Sequence, residues 1–441
     1  MLTGADVCDR SAGWRADRIY AEAILRPKTT AEVSKVMEIC HQCGQSIVCH
    51  GGLTGLVQGA VTTKADVVLS LERMTRIEQL DETGRTMTVQ AGATLQSVQQ
   101  AATEAGLMFP LDIAARGSCT IGGNVATNAG GNRVIRYGMT RDLVLGLEAV
   151  LADGTVISSL NKMVKNNAGY DLKHLFIGTE GTLGIVTRAV LRLREQPPYQ
   201  GTALVAADSF DNLTSFLRFT DRKLGGSLSA FEVMWQDYYE LVATKQSSRP
   251  PLSLGYRFYI LVETLAQSGA HFESVLEKAV SDQLIADAVV AKSKREIEAL
   301  WKVRDESELI ERVFAPTLTF DVSLGVQDMN DYVEMVQQRL RSQWSQSKCF
   351  TFGHLGDGNL HFMIWVNADD AETRQMVEEI VYQPLTAIHG SVSAEHGVGL
   401  EKKPYLHWCR NENEIALMRL LKRSMDPKGI LNPGKVLDVV V

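Results

Sequence analysis

Three clusters dense in glycine and small polar residues fall within the first 190 positions, and they limit the fold more than any other feature. They are HGGLTGLVQGA (His50 to Ala60), GSCTIGGNVATNAGGNRVIRYG (Gly117 to Gly138) and NNAGYDLKHLFIGTEGTLGIVT (Asn166 to Thr187). None suits a long amphipathic helix, because glycine has no side chain to pack and loses the most backbone freedom on ordering. Such segments are loops held by a scaffold, and successive glycines let backbone N–H groups converge on an anion. The first cluster has four glycines in the nine positions from Gly51 to Gly59, yet it is neither a Walker loop nor G-x-G-x-x-G. Alone it reads as an ordinary turn more readily than as a phosphate loop. The second adds Ser118, Thr120, Asn124, Thr127, Asn128 and Asn132, all able to bond phosphate, ribose or a ring edge. Three such clusters together point to one large, dinucleotide-shaped ligand.

The scaffold reads as α+β. Thr29 to Glu32 resembles a capping box, Val33, Val36, Met37 and Cys40 recur at helical spacing, and Gly44 stops the run. Strands are expected at Ser46 to Cys49, Val67 to Leu71 and Met87 to Gln90, then a helix over Thr94 to Glu104. A hairpin follows, Leu143 to Leu151 turning at Asp153-Gly154, with a further strand over Thr182 to Leu193. The regular alternation of a Rossmann domain is absent. After Pro197-Pro198 the rhythm becomes strand then long helix: Ala203 to Ala207 with Phe210 to Leu224, Gly255 to Glu263 with Phe272 to Leu284, Leu318 to Leu324 with Met329 to Trp344. Strands Cys349 to His354 and Leu360 to Val366 precede a helix over Asp370 to Ile388. The expected domains are a ligand-binding domain over 1–196, a cap domain over 197–412 with an antiparallel sheet covered by helices, and a segment 413–441 returning to the first.

Composition removes several alternatives. Lys plus Arg number 45 against 52 Asp plus Glu, a net charge of −7 with no polybasic tail, which disfavours nucleic acid. No run of 18 apolar residues occurs, so no transmembrane segment is expected. The start, MLTGADVCDRSAGWRADR, lacks the order of a secretory signal. Cys40 and Cys43 form a C-x-x-C without a second pair, inside a helical pattern, so a reduced, cytoplasmic chain is expected.

HLGDGNLHF carries the chemistry. Asp357-Gly358 reads as a two-residue hairpin turn that pairs His354 with His361. Directly opposed residues share a sheet face with Cβ atoms roughly 5 Å apart, so both imidazoles can meet one ion; a plain hydrogen-bonded pair is the alternative. Glu395 and His396 can add a carboxylate ligand and a base. Two histidines, one carboxylate and an open position fit catalytic zinc, with manganese or iron(II) also compatible. In LWKVRDE, Arg304 lies on a mostly polar helix, where arginine is ordinarily a solvated ion-pair partner.

In combination, GGLTGL, TIGGNVATNAGG with RYG after it, GTEGTLGIVT, HLGDGNLH, EHGVGLEK and LNPGK resemble the vanillyl-alcohol-oxidase-like, PCMH-type flavoproteins. Within them the chain is similar to the FAD-dependent D-2-hydroxyacid dehydrogenases, which include D-lactate dehydrogenase, the glycolate oxidase large subunit and D-2-hydroxyglutarate dehydrogenase. The match runs from about Pro27 to Val439. The resemblance implies a PCMH-type FAD-binding domain of two α+β subdomains, with the pyrophosphate over Gly51, Gly52, Thr54 and Gly55 and Leu53 among the cofactor-binding positions. It places further cofactor contacts on Pro110, Ser118, Thr120, Gly122, Gly123, Asn124, Ala129, Gly130, Glu180, Gly181, Gly184, Ile185 and Asn432. Some members attach the flavin through a histidine where this chain has Leu53, which has no nucleophilic atom, so non-covalent FAD is expected; His50 is the nearby alternative.

The same resemblance assigns the metal to His354, His361 and Glu395 and the substrate carboxylate to Arg304; His396 is then the expected general base, a task for which imidazole chemistry is suited. The implied reaction is oxidation of a D-2-hydroxyacid to the 2-oxoacid by hydride transfer to FAD. Family members that prefer 2-hydroxyglutarate carry Lys, a hydroxyl residue and Asn where this chain has Thr319, Glu308 and Met363. That favours a monocarboxylate such as D-lactate, although Arg257 or Lys302 could replace the missing cation. D-2-hydroxyglutarate dehydrogenase, an oxygen-using oxidase and a non-catalytic flavin subunit are the alternatives. An electron-transfer flavoprotein, quinone or cytochrome is implied as acceptor, and a homodimer is compatible with this reading.

Overall fold

Thr29 is extended and its side chain accepts from the Glu32 N–H at 3.2 Å, so the first long helix starts where the cap predicts. It spans Thr30–Cys43 and ends at Gly44, whose φ of 71° is the left-handed conformation that glycine adopts without penalty. This computed structural model describes residues 1–8, 10–13, 19–247 and 249–439; Trp14 to Arg18 of the opening stretch lie outside them. The chain divides into two units: Met1–Gly131, Tyr137–Gln196 and Glu395–Val441 form one, Asn132–Arg136 and Pro197–Ala394 the other.

The first unit holds two α+β subdomains. One has a four-stranded sheet ordered Leu2–Thr3, Ala23–Leu25, Val67–Ser70, Ile47–His50, the last three parallel. Val33 and Met37 of the capped helix pack against its Ile47 and Leu69, together with Ile430 and Leu431 from near the chain end. The other has a five-stranded antiparallel sheet ordered Ile77–Asp81, Thr86–Gln90, Ile185–Arg192, Val144–Val150, Val156–Ser159. Helix Leu95–Glu104 buries Leu95, Val98 and Ala102 against it. The glycine block is not all loop. Ile121–Thr127 is helical, because Thr120 caps it, Ile121 and Val125 have a core to enter, and Gly122 lies where a Cβ would fall 2.6 Å from that of Ala91.

The second unit is the expected antiparallel sheet covered by helices. Its seven strands run Asp287–Val290, Tyr199–Ala207, Phe258–Ala266, Leu228–Trp235, Lys348–His354, Asn359–Trp365, Leu318–Ser323. Leu228–Trp235 is buried along its whole length, the mark of a strand covered on both faces. Phe362 meets Tyr332 of helix Met329–Gln343, whereas Met363 points into the cluster built by Tyr238, Leu300 and Ile310 from the helices Gln236–Gln246, Lys294–Asp305 and Glu308–Phe314. Asn132–Arg136, drawn from near the end of the second glycine cluster, belongs with this unit. Arg133 donates from Nε to Glu263 at 2.9 Å, and Arg136 donates to the Ser227 carbonyl at 3.2 Å.

Candidate active site

In the first unit the glycine motifs meet one another. A Cβ on Gly52 would fall 2.1 Å from the Ser118 carbonyl oxygen, and one on Gly51 2.8 Å from Thr120 Oγ1, so the first loop lies directly on the second. Asn432 ties in the rest: its Oδ1 accepts from the Cys49 N–H at 2.8 Å and its amide donates to the Glu180 carbonyl. Glu180 accepts from the N–H groups of Val398 and Gly399 at 2.6 and 2.9 Å. Burial pushes the Glu180 carboxyl up in pKa, against the pull of those two donors. Gly130 lies where a Cβ would fall 2.7 Å from the Glu395 carboxylate. Ile185 turns its side chain into the core with Ile47 and Leu69, and Gly184 lies against the Phe176 ring. His50 is buried, with Nε2 2.8 Å from the Ala60 carbonyl oxygen, and burial pushes its pKa down to about 4. Leu53 is half-buried at a φ of 57°.

In the second unit the two histidines come together by a different register from the one expected. Leu355–Asp357 forms a 3-10 turn and Gly358 takes φ 87°, so the connection uses four residues and not two. His354 therefore faces Asn359, while His361 faces Phe352 on one side and Asp321 on the other. The direct pairing of His354 with His361 is corrected to a diagonal one. A slip of two keeps both on one face, since side chains alternate with period 2. Their ring centroids are 5.3 Å apart and their donor nitrogens approach within 4.8 Å. Gly356 admits Ile135 at this turn: a Cβ there would fall 2.4 Å from Ile135 Cδ1.

Each imidazole is backed by a buried carboxylate. His354 Nδ1 is 2.8 Å from Glu232 Oε1, and His361 Nδ1 is 3.8 Å from Asp321 Oδ1. Glu232 is directly opposite His354 in the sheet and fully buried. Its other oxygen accepts from Arg304 Nε at 2.8 Å. Burial pushes the Glu232 carboxyl up, but His354 and Arg304 together outweigh it and hold it below its ordinary value. Arg304 is thus not the solvated helical arginine of the sequence pattern. It is buried, lies over the Phe352 ring at 5.4 Å, and brings Nη2 to 3.1 Å from His354 Nε2. Asp321 accepts from Asn359 Nδ2 at 2.8 Å and from the Ala394 N–H at 3.1 Å, so the chain leaves this cluster straight into Glu395 and His396. Asn359 Oδ1 is buried without a hydrogen-bond partner.

Glu232 and Asp321 are the functional candidates that motif reading misses, and Asn359 is one inside HLGDGNLHF that it passes over. A signal for Glu232 exists: it is the single charge in the apolar strand LSAFEVMW. The residues invoked for substrate length divide. Glu308 pairs on the surface with Arg312 at 3.2 Å, Arg257 pairs with Glu334, and Lys302 pairs with Glu306 at 3.4 Å, with these lysine and arginine side chains about half exposed or more. Thr319 and Met363 are cross-strand partners, two residues along from Asp321 and His361 on the same face.

Residues 196–436 match the family described as FAD linked oxidases, C-terminal domain, and residues 21–159 match an FAD binding domain. The chain belongs to the FAD-linked oxidases. It is 39% identical over 425 residues to D-2-hydroxyglutarate dehydrogenase of Xanthomonas citri pv. viticola, covering 94% of this chain and 89% of the relative. It is 37% identical over 421 residues to the mitochondrial D-2-hydroxyglutarate dehydrogenase of Danio rerio, covering 95% and 78%. A Schizosaccharomyces pombe protein named as a mitochondrial D-lactate dehydrogenase is 36% identical over 424 residues, covering 93% and 81%. Among solved structures, an alkyldihydroxyacetonephosphate synthase matches with TM-score 0.73 at 17% identity, over 93% of this chain and 76% of the other. The 4-ethylphenol oxidase of Gulosibacter chungangensis matches with TM-score 0.71 at 17% identity, over 96% and 91%. These two share the PCMH-type fold.

As an FAD-linked oxidase of the D-2-hydroxyacid dehydrogenase group, the chain is an oxidoreductase with FAD as cofactor, and membership supports oxidation of a 2-hydroxyacid. Two expectations change. The relatives favour D-2-hydroxyglutarate over the monocarboxylate given first place on sequence. The cytoplasmic location is overturned by relatives named mitochondrial, from Danio rerio, Bos taurus and Arabidopsis thaliana among others. Among the described residues no helix is long and apolar enough to cross a membrane.

Proposed function

We propose that this FAD-linked oxidase oxidises a D-2-hydroxyacid to the 2-oxoacid, with D-2-hydroxyglutarate as first substrate, using a divalent ion and His396 as base. The observation that carries the reading is the pair His354 and His361, the first hydrogen-bonded through Nδ1 to the buried Glu232 carboxylate and the second with the buried Asp321 carboxylate 3.8 Å from its Nδ1. The Glu232 carboxylate accepts from the His354 Nδ1–H, which keeps that proton on Nδ1 and leaves the Nε2 lone pair for an ion, the usual arrangement behind a metal-ligating histidine. Donor nitrogens within 4.8 Å of each other fit one ion, with Glu395 as third ligand and zinc as the ion such a set suits best. When bound, the ion lowers the pKa of the substrate hydroxyl, and FAD accepts the hydride from the α-carbon. His396 takes the hydroxyl proton as general base, the role histidine fills most often. Arg304 meets a substrate carboxylate, for which a guanidinium is better shaped than an ammonium.

FAD is proposed to lie non-covalently along Gly51, Gly52, Thr54, Gly55, Ser118, Thr120, Gly123 and Gly130, largely against backbone. Leu53 offers no attachment atom, and His50 is buried with its Nε2 held by Ala60. For the substrate, the charge argument against a second carboxylate loses weight because Glu308 is exposed and paired with Arg312. The relatives' names supply the positive argument. Thr319 and Met363 favour a second reading, a shorter or apolar side chain, as the Schizosaccharomyces pombe relative's name would suit. A dye-coupled comparison of D-2-hydroxyglutarate, D-lactate and their L-enantiomers separates the two. The diacid is expected to have the highest kcat/KM; a higher value for D-lactate would transfer the assignment to the second reading, and activity on L-acids alone would sink both.

A further inference from the structure

We infer that Glu232 is a positioning residue that sets His354 and Arg304 with one carboxylate. The inference rests on the proposed roles of those two residues and extends them to a side chain in no recognised motif. Glu232 is directly opposite His354 in the antiparallel register and has no exposed surface, so water does not compete for its oxygens. Oε1 is 2.8 Å from His354 Nδ1, and Oε2 accepts from Arg304 Nε at 2.8 Å. An ionised carboxylate only accepts, so the His354 proton is fixed on Nδ1 and the lone pair on Nε2. Arg304 Nη2 approaches that same Nε2 at 3.1 Å. One lone pair serves one partner, so Nε2 binds either the guanidinium or an ion. As an ion binds, Nη2 must withdraw, and the Nε tie to Oε2 keeps the guanidinium beside the site as it does so. The guanidinium also lies over the Phe352 ring at 5.4 Å. Ion binding and the presentation of Arg304 to a substrate carboxylate are therefore linked through Glu232.

The sheet contains its own control. Glu263 is equally buried and equally paired with an arginine, Arg133, but among the described residues its other side-chain partners are Gln200 and Ser229, and none is a histidine. A gain or loss of general sheet stability would follow from either acid. Only Glu232 sets a ligand.

The test uses Glu232→Gln and Glu263→Gln in the full flavoprotein. A glutamine at 232 keeps the volume but has one accepting atom, so it can serve His354 or Arg304 but not both. Purified parent and variants are dialysed against a graded chelator series, with bound metal and FAD both counted. Glu232→Gln is expected to lose metal at roughly 10–100-fold lower chelator while keeping FAD, the size of effect typical of a lost partner behind a ligand. Glu263→Gln is expected to follow the parent. At saturating metal, Glu232→Gln should also raise KM for the hydroxyacid. Metal retention by Glu232→Gln equal to the parent's, or equal loss in Glu263→Gln, overturns the inference. If Glu232→Gln cannot hold FAD, Glu232→Asp, which keeps the charge but shortens the reach, takes the same measurement with the same criterion. A parent that binds no divalent ion overturns the metal reading itself, a result distinct from either of these.

Discussion

Asn432 gives both ends of its amide to the backbone of Cys49 and Glu180, and Glu180 gives its carboxylate to Val398 and Gly399. His354 instead turns Nδ1 to Glu232 at 2.8 Å, and His361 has Asp321 3.8 Å from its Nδ1, both carboxylates coming from neighbouring strands. The glycine region thus uses its motif side chains to hold backbone together, so that backbone is what a ligand meets. In the histidine region the holding is done by residues outside the motif, Glu232 and Asp321, and the motif side chains are left to do chemistry. Substitutions in the first region should then cost stability and FAD together. Those in the second should cost chemistry with FAD retained.

The largest expected effect is that of His354→Ala or His361→Ala. Bound metal should disappear and hydroxyacid oxidation with it, while FAD stays at one equivalent; elemental analysis beside flavin absorbance checks this. A full metal equivalent in His354→Ala would break the contrast at its centre. His396→Gln comes next. It should keep metal and FAD yet slow anaerobic flavin reduction about 10²–10⁴-fold, the usual contribution of a general base, and an unchanged bleaching rate would remove His396 from that role.

Gly52→Ala probes the other region. Its Cβ would fall 2.1 Å from the Ser118 carbonyl oxygen, so the two loops must part, at about 1–3 kcal/mol for an overpacked contact. Lower Tm and lower FAD content are expected together, with metal retained; loss of metal and not FAD would reverse the comparison. The smallest effect concerns His50. Its folded pKa of about 4 lies below the ordinary imidazole value near 6.5, so below that pH the unfolded chain takes a proton that the folded one refuses. Stability is full above about pH 6.5 and declines toward pH 4, by about 2 kcal/mol between pH 7 and 5. Urea midpoints at those two values should converge in His50→Gln, and parallel curves in variant and parent would show that His50 contributes nothing.

Much of this was legible in sequence where the physics is local. Thr29 and Gly44 bracket their helix, and Asp153-Gly154 turns its hairpin, because caps and turns depend on neighbours in the chain. The shared face of His354 and His361 survived a register slip only because that slip was an even number. Had it been one residue, the pair would have been split across the sheet. Glu232 escaped because its partners, His354 and Arg304, are 122 and 72 residues away, and no local pattern encodes such a meeting. Arg133 and Arg136 were hidden differently: they lie in a glycine block read for its Ser, Thr and Asn residues, yet they serve the Glu263 carboxylate and the Ser227 carbonyl. Glu308 shows the same limit on the substrate side, since one helical turn after Arg304 places it near in sequence while its carboxylate faces solvent and Arg312.

The most direct test of metal-assisted oxidation by this flavoprotein is a single anaerobic half-reaction. The purified protein is mixed with D-2-hydroxyglutarate in stopped flow, and flavin absorbance is followed in parent, chelator-treated and metal-restored samples. Rapid bleaching by the D-acid, its loss after chelation with FAD still bound, and its return on restoring the ion is the expected result. Undiminished bleaching in the metal-free protein would contradict the assignment of His354, His361 and Glu395 to catalysis.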